Sequence, residues 1–329
     1  MDTNTATSHN TAMRRTIMGF IVSRAVCAVT RAGVPDLLAD GPRDVAELAA
    51  ASGTDPGALG RFLRVLSAEG ILIEPEPGVY ALSAAGNLLR ADVPGSLRHF
   101  TELMSAEAYL VWEAAEESLR SGGSAFPSMF GRPYFTWLTE QPEAAERFDR
   151  AQAGLVELRL LPLLEWDWSE VNSVVDVGGG DGALLRKVLA AHPHLSGTLL
   201  DLPHVVENVQ GDGLVRVSGN FLEEVPKGAD VYVLSQILHD WDDSDAVRIL
   251  RTCREAVPAH GRLLVVEQIL RDDGVPDPVL LLDLHMLVLL GGRERAEPEW
   301  ERLFAAGGFT LTSTRTGPRS ALLEARPSE

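Results

Sequence analysis

The sequence predicts an α/β protein in two parts: a mostly helical N-terminal module, then a domain built on a mixed, mainly parallel sheet. Three observations carry this. The 329 residues amount to roughly two domains of about 150 residues each. After Trp168, short apolar bursts alternate with helical segments, as in strands joined by crossover helices. Before it, apolar residues recur at helical spacing, and a short hairpin follows two of the helices. At 45% hydrophobic and 23% charged residues, the chain can bury a substantial core and is not disordered by composition.

Residues 1–12 are polar and read as a disordered lead; residues 13–98 form the first module. A mostly apolar helical stretch carries Ile17, Phe20, Ile21, Val26 and Val29 and ends around Gly33-Val34-Pro35. Val45, Leu48 and Ala49, then Leu59, Phe62, Leu63 and Leu66, mark two helices broken at Gly53. Thr54 or Asp55 caps the second, with Pro56 in its first turn. Residues 71–74 and 79–82 flank Pro75-Glu76-Pro77-Gly78 as a hairpin, which completes a winged-helix pattern.

A winged helix raises DNA-binding regulation as a rival function. The second helix offers only Arg61 and Arg64, with Glu69 close behind, whereas reading DNA takes several phosphate contacts and base-edge donors. The formal net charge of −18 repels phosphate backbones and anionic lipid heads. Nine basic and ten acidic residues in the first 100 leave that module near neutral, so nearly all the excess lies beyond it. The module reads better as a pairing device for two copies of the chain, with neither nucleic acid nor membrane as partner.

Residues 99–168 read as linking helices. Their aromatic residues, among them Tyr109, Phe126, Phe130, Tyr134, Phe135 and Trp137, suit a helix core and are also compatible with a pocket for a flat ligand. Cys27 and Cys253 are too few for a disulfide scaffold and suggest a reducing compartment. The first residues lack the order of a signal peptide. The longest apolar run, 279–290, is interrupted by Asp283 and His285 and falls short of the roughly 18 residues of a membrane span. A cytoplasmic chain is expected.

The sheet domain, 169–329, has its strands at 173–177, 197–200, 214–217, 231–234, 263–267, 309–313 and 320–324. In open sheets of this kind ligands sit beyond the carboxyl ends of the strands. The first strand runs into Asp176, Gly178, Gly180 and Gly182, a D-x-G-x-G-x-G loop whose bare backbone can approach a cofactor. Gly178-x-Gly180-x-x-Ala183 equally satisfies the loose dinucleotide fingerprint. Asp201, about 20 residues on and followed by Leu202, can bind ribose hydroxyls; it can also cap a helix. Together they indicate a nucleoside site.

The segments VVDVGGGDG, LLDLPHV, SGNFLEEVP, SQILHDWDD and GGRERAEPEW occur in that order. This array resembles the S-adenosylmethionine-dependent O-methyltransferases of phenolic natural products, the plant caffeate type and the bacterial polyketide-tailoring type, over nearly the whole chain. The resemblance implies a class I methyltransferase domain behind a winged-helix dimerisation domain, a homodimer, and S-adenosylhomocysteine as product. By it, Gly178 and Gly180 approach the methionine portion and Asp201, with Leu202 beside it, holds the ribose. Asn220 and Phe221 then meet the adenine. Many relatives have aspartate at Asn220, and plant relatives have lysine at Ser235; an amide oxygen and a hydroxyl or backbone carbonyl can serve instead.

The resemblance also implies His239 as general base, with Glu267 and Glu294 orienting the ring and favouring its charged form. The bland reading of a lone histidine is a satisfied structural residue; its place at a strand's carboxyl end beside a nucleoside site argues against that. Asp240, Asp242, Asp243 and Asp245 read as a helix start capped by Asp243 or Ser244 rather than as metal ligands. His192-x-His194 is a weak metal signal, and no metal is expected. Candidates for the acceptor pocket are Met104, Trp112, Phe148, Gln152, Leu155, Met286 and Leu290, each equally open to a core role. A non-methylating tailoring step (hydroxylation, decarboxylation or rearrangement) is the rival within the same fold.

Overall fold

The computed structural model describes residues 3–209, 213–271, 275, 277–317 and 320–329. The chain divides into two compact units, Met1–Tyr109 and Leu110–Glu329. In the first, helices Thr3–Ile17 and Gly19–Arg31 precede Val45–Ser52 and Pro56–Ala68. The expected disorder of residues 1–12 is thus replaced by helix from Thr3 onward. Once the following turns are helical, each added residue needs no new nucleus, and Arg14 and Arg15 sit in the last turn, where cations suit the dipole.

Three short strands, β1 (Arg43–Asp44), β2 (Leu72–Glu76) and β3 (Val79–Leu82), form an antiparallel sheet in the order β1-β3-β2. Asp44 caps the helix behind β1 through the Ala46 N–H, and Asp55 caps the next through Ala58 at 2.7 Å. The core of this unit joins Val29, Val34, Leu48, Leu59, Leu63, Leu66 and Tyr80. Met13, Ile17, Met18, Phe20 and Ile21 remain exposed.

The second unit is a seven-stranded sheet. Its strands are β4 (Ser173–Val177), β5 (Ser196–Asp201), β6 (Leu214–Ser218), β7 (Val231–Ser235), β8 (Arg262–Glu267), β9 (Phe309–Thr316) and β10 (Ala321–Pro327). Their order is β6-β5-β4-β7-β8-β10-β9, parallel through β8 and antiparallel at β10 and β9. Alternate side chains serve the two faces. Val175, Tyr232, Leu234, Leu263 and Val265 pack with Ile249, Leu250, Cys253, Trp300 and Phe304. Val174, Val231, Val233, Leu264 and Val266 pack with Leu163, Trp166, Leu184, Leu185 and Val188. The chain starts at β4, steps outward to β5 and β6, then returns to β7 on β4's other side. That reversal opens a crevice at the carboxyl ends of β4, β5 and β7.

The helices before β4 enclose an aromatic core. Phe126 stacks on Phe130 at 4.2 Å and takes Tyr134 and Trp137 edge-on. Among the described residues, no helix is long and apolar enough to cross a membrane.

Candidate active site

A cavity of about 490 Å³ lies at the strand ends of the second unit, where the reversal of strand order places it. Gly178, Gly180, Asp201, Leu202, Asn220, Phe221 and Ser235 all line it. Gly178 has φ +72°, and a Cβ there would sit 2.7 Å from Ile237 Cδ1. Gly180, at φ +59°, faces open space, so its backbone is reachable from the cavity. The Asp201 carboxylate accepts the Gly180 N–H at 2.8 Å and the Leu202 N–H at 2.7 Å, which fixes it at the loop with lone pairs to spare. Asn220 Oδ1 accepts the Leu222 N–H at 3.0 Å, so this amide forms its own turn as well as bordering the cavity.

This end of the cavity is rich in carboxyls. Asp176 is buried, and its Oδ2 has no hydrogen-bond partner among the described residues. Burial, then repulsion from Asp201 and Asp181, raises its pKa to about 7. Burial and the same two neighbours raise Asp149, on the helix Pro142–Leu164, to about 6. Carboxyls that repel one another around bare glycine backbone suit a ligand carrying positive charge and hydroxyl groups.

At the end of β7 the chain makes an unusual turn. Gln236 adopts φ +56°, the one non-glycine residue in the left-handed region among those described. The turn aims the N–H groups of Ile237 and Leu238 at Glu267 Oε1, at 3.0 and 2.9 Å, while the Gln236 amide donates to Oε2 at 2.9 Å. His239 follows in the single helical turn Leu238–Asp240. Its Nδ1 meets Glu294 Oε1 at 2.7 Å, and its Nε2 faces Asp240 Oδ1 at 3.3 Å. Glu294 Oε2 is buried with no hydrogen-bond partner among the described residues, so the imidazole is that carboxylate's main compensation. Burial works against charging the ring, but Glu267, Glu294 and Asp240 together outweigh it and raise the pKa to about 10. Burial also lifts Asp240 to about 6, with His239 opposing.

Arg295 secures this turn from a distance in sequence: Nη1 donates to Leu238 O at 2.8 Å, Nη2 to Trp241 O at 2.9 Å. Gly292 lies so close that a Cβ would be 2.1 Å from His239 O. His239, Glu267 and Glu294 also bring ligand atoms within 4.8 Å of one another, a spacing a metal accepts. Both Glu267 oxygens already take N–H donors and Nδ1 already meets Glu294 Oε1, so Glu294 Oε2 alone among these carboxylate oxygens lacks a partner among the described residues.

Asp240 lines the cavity, and His239 stands directly behind it. The expectation that Asp240 belongs to a helix start is therefore corrected: the cap is Asp242, which accepts the Asp245 N–H at 2.9 Å. Neither Asp243 nor Ser244 caps, because the helix begins one residue earlier. Of the acceptor-pocket candidates, Phe148 and Gln152 line the cavity. Trp112 instead donates to His285 Nδ1 at 3.2 Å, Met286 is buried in the helix Pro278–Leu290, and Leu290 packs on the aromatic core. Leu155 does not border the cavity, and Met104 ends the helix Arg98–Leu103 in the first unit. Sequence reasoning passed over Asp149, Arg159, Gln236 and Arg295 and gave Asp240 to a helix start. Gln236, Asp240 and Arg295 sit inside the very segments it singled out.

Residues 112–310 match the family described as O-methyltransferase domain, and residues 15–92 match the O-methyltransferase dimerisation domain. The phenazine O-methyltransferase of Lysobacter antibioticus is 39% identical, over 94% of each chain. The 3-amino-4-hydroxybenzoate 4-O-methyltransferase of Streptomyces cremeus is 38% identical, over 94% of this chain and 88% of its own. Among solved structures, an O-methyltransferase from neocarzinostatin biosynthesis, in complex with S-adenosylmethionine and 2-hydroxy-5-methyl naphthoic acid, superposes with a TM-score of 0.78. It is 34% identical, over 93% of this chain and 95% of that one.

Proposed function

Since the chain belongs to the O-methyltransferase family that carries its own dimerisation domain, we propose that it methylates a hydroxyl of a small flat aromatic natural product, with S-adenosylmethionine as donor. S-adenosylhomocysteine is then the second product. The observation that carries this reading is the buried Glu294–His239 pair set behind a cavity whose far end is built for a cation.

When bound, the cofactor supplies an electrophilic methyl group on a cationic sulfur. Gly178 and Gly180 admit it through bare backbone, and Asp176 and Asp149 offset its positive charge. Asp201 retains lone pairs for ribose hydroxyls, while Asn220 and Phe221 serve the adenine and Leu202 and Ser235 border it.

His239 removes the acceptor's proton. A phenol has a pKa of about 10 and an ordinary imidazole about 6.5, a gap of about 5 kcal/mol against transfer. With the ring's pKa raised to about 10, the two are matched and the gap closes. Glu294 holds Nδ1, which leaves Nε2 to the acceptor side, where Asp240 lies between the ring and the cavity. A hydroxyl at that wall meets His239 and Asp240 as one unit. No metal is needed for this step, and a non-methylating enzyme would have little use for such a base. The exposed Met13, Ile17, Phe20 and Ile21 give a second copy of the chain an apolar face to cover.

The test is incubation with S-adenosylmethionine and a panel of phenols, naphthols and hydroxylated polyketides. S-adenosylhomocysteine should form in step with a product about 14 mass units heavier, the weight of a CH2 group. Product without S-adenosylhomocysteine would favour a rearrangement or hydroxylation. His239→Ala should keep cofactor affinity by calorimetry and lose about 10² to 10⁴ in turnover; undiminished turnover would remove the base from the mechanism.

A further inference from the structure

The helix Pro142–Leu164 runs along the cavity with a carboxyl toward one end and a guanidinium toward the other. Asp149 and Arg159 both line the cavity and lie about 15 Å apart along the helix. The charges that act on Asp149 are Asp201 and Asp181, at the glycine end, and then Glu146 of its own helix. Those that act on Arg159 are Glu267, Asp240 and Glu294, at the base end. Arg159 therefore faces the part of the cavity where an acceptor hydroxyl must reach His239.

This arginine is incompletely matched. Its Nη1 donates to Gln152 Oε1 at 3.0 Å, and among the described residues no carboxylate lies within ion-pair distance of it. Desolvation in the cavity wall brings its pKa down to about 10, so it remains charged at neutral pH. A guanidinium has five N–H donors in a planar fork, and one neutral amide engages a single donor. A desolvated cation left this way is costly unless a ligand completes it.

We propose that Arg159 is a specificity-determining residue that pairs with a carboxylate carried by the acceptor, which makes the acceptor an aromatic hydroxy acid. The inference rests on the methyl-transfer reading and narrows it. A carboxylate meets the guanidinium edge through two parallel hydrogen bonds, and the Gln152 contact holds the guanidinium in place for it. The cofactor's own carboxylate is the rival anion. The placement of Arg159 at the base end, with the acids Asp149 and Asp181 at the glycine end, favours the acceptor.

The experiment measures two matched pairs, 3-hydroxy-2-naphthoate against 2-naphthol and 4-hydroxybenzoate against phenol. Binding to the full-length protein saturated with S-adenosylhomocysteine is read by calorimetry, and kcat/KM with S-adenosylmethionine is read separately. In at least one pair the acid should bind about 30-fold more tightly than its neutral partner. Arg159→Met should abolish that preference with the neutral compound and the cofactor bound as before, and Arg159→Lys should restore part of it. Equal binding of acid and neutral compound in both pairs overturns the proposal, with no variant needed. So does a preference that survives in Arg159→Met, or a parallel loss of cofactor affinity, which would assign the arginine to the cofactor. Acid-selective binding without any methylation supports Arg159 and faults the methyl-transfer reading; methylation of both members with equal kcat/KM does the reverse.

Discussion

Glu294→Gln keeps an oxygen opposite His239 Nδ1 and removes only the charge. Burial alone would hold the ring below its ordinary pKa, and the three carboxyls raise it to about 10 instead. The rise from about 6.5 is worth about 5 kcal/mol in favour of the imidazolium. At pH 7 a group of pKa about 10 is neutral in about one molecule per thousand; at an ordinary pKa of about 6.5 it is neutral in roughly three quarters. A phenol brings its own proton to a ring that already holds one, and the reactive complex contains one proton fewer. The sign follows. For the wild type, kcat/KM should climb about tenfold per pH unit from 7 toward about 10. In Glu294→Gln the ring's pKa falls, the climb shifts to lower pH, and the profile levels off sooner. The plateau is also lower, by about 10²-fold, because a weaker base drives the proton less far. Initial rates of S-adenosylhomocysteine formation between pH 6 and 10, with an acceptor of pKa near 10 and saturating cofactor, separate these. A wild-type profile already flat at pH 7, or a variant profile that superimposes on it, would refute the reasoning.

Two further substitutions probe the frame around the base and the cofactor end. Asp176 has its folded pKa raised from 3.8 to about 7, so the folded protein binds the extra proton between those values and loses stability as pH rises through that window. The loss totals about 4 kcal/mol once pH exceeds 7. Asp176→Asn carries no such loss, so its Tm should exceed the wild type's by several degrees at pH 8, a margin that shrinks toward pH 4; a margin independent of pH would sink this. Gly292→Ala places a methyl 2.1 Å from His239 O, against backbone that cannot yield cheaply. It should cut kcat by about 10²-fold or more with cofactor affinity nearly unchanged, and wild-type turnover would mean the 238–240 turn is free to move.

The strands of the second unit were legible because a largely parallel sheet buries both faces and so writes continuous apolar runs. Residues 173–177, predicted from SVVDV, are β4 as found. Part of the cavity lining was legible for a similar reason: a loop that turns at positive φ needs glycine, and Gly178 and Gly180 line the cavity beside Asp201 at the next strand's end. The helical region was harder. Phe126, Phe130, Tyr134 and Trp137 fit a core and a ligand pocket alike by spacing, and they pack on one another instead. Phe148 and Gln152 reach the cavity, while Leu155, on the same helix, does not. Which face of a helix meets a cavity depends on the helix's rotation against a distant sheet, and local sequence does not encode it.

Asp240 shows the same limit at the site itself. Four acids within six residues look like a solvated helix start, and Asp242 and Asp245 do form one. Asp240 is separated from them by a turn whose direction is set by groups far away in sequence. Arg295 draws in the carbonyls of Leu238 and Trp241, the Arg293 N–H meets His239 O at 2.9 Å, and Glu267 collects the N–H groups of Ile237 and Leu238. Each of those contacts spans 29 to 57 residues of chain. Their joint effect is to turn one acid inward beside a histidine while its neighbours stay at the surface. The negative charge that looked like surface in the sequence is thus divided by the fold. Most of it stays in water, and one inward-turned group, Asp240, Glu267 and Glu294, does two jobs. It raises the His239 pKa to about 10, and from beyond ion-pair distance it opposes the desolvation that lowers the Arg159 pKa.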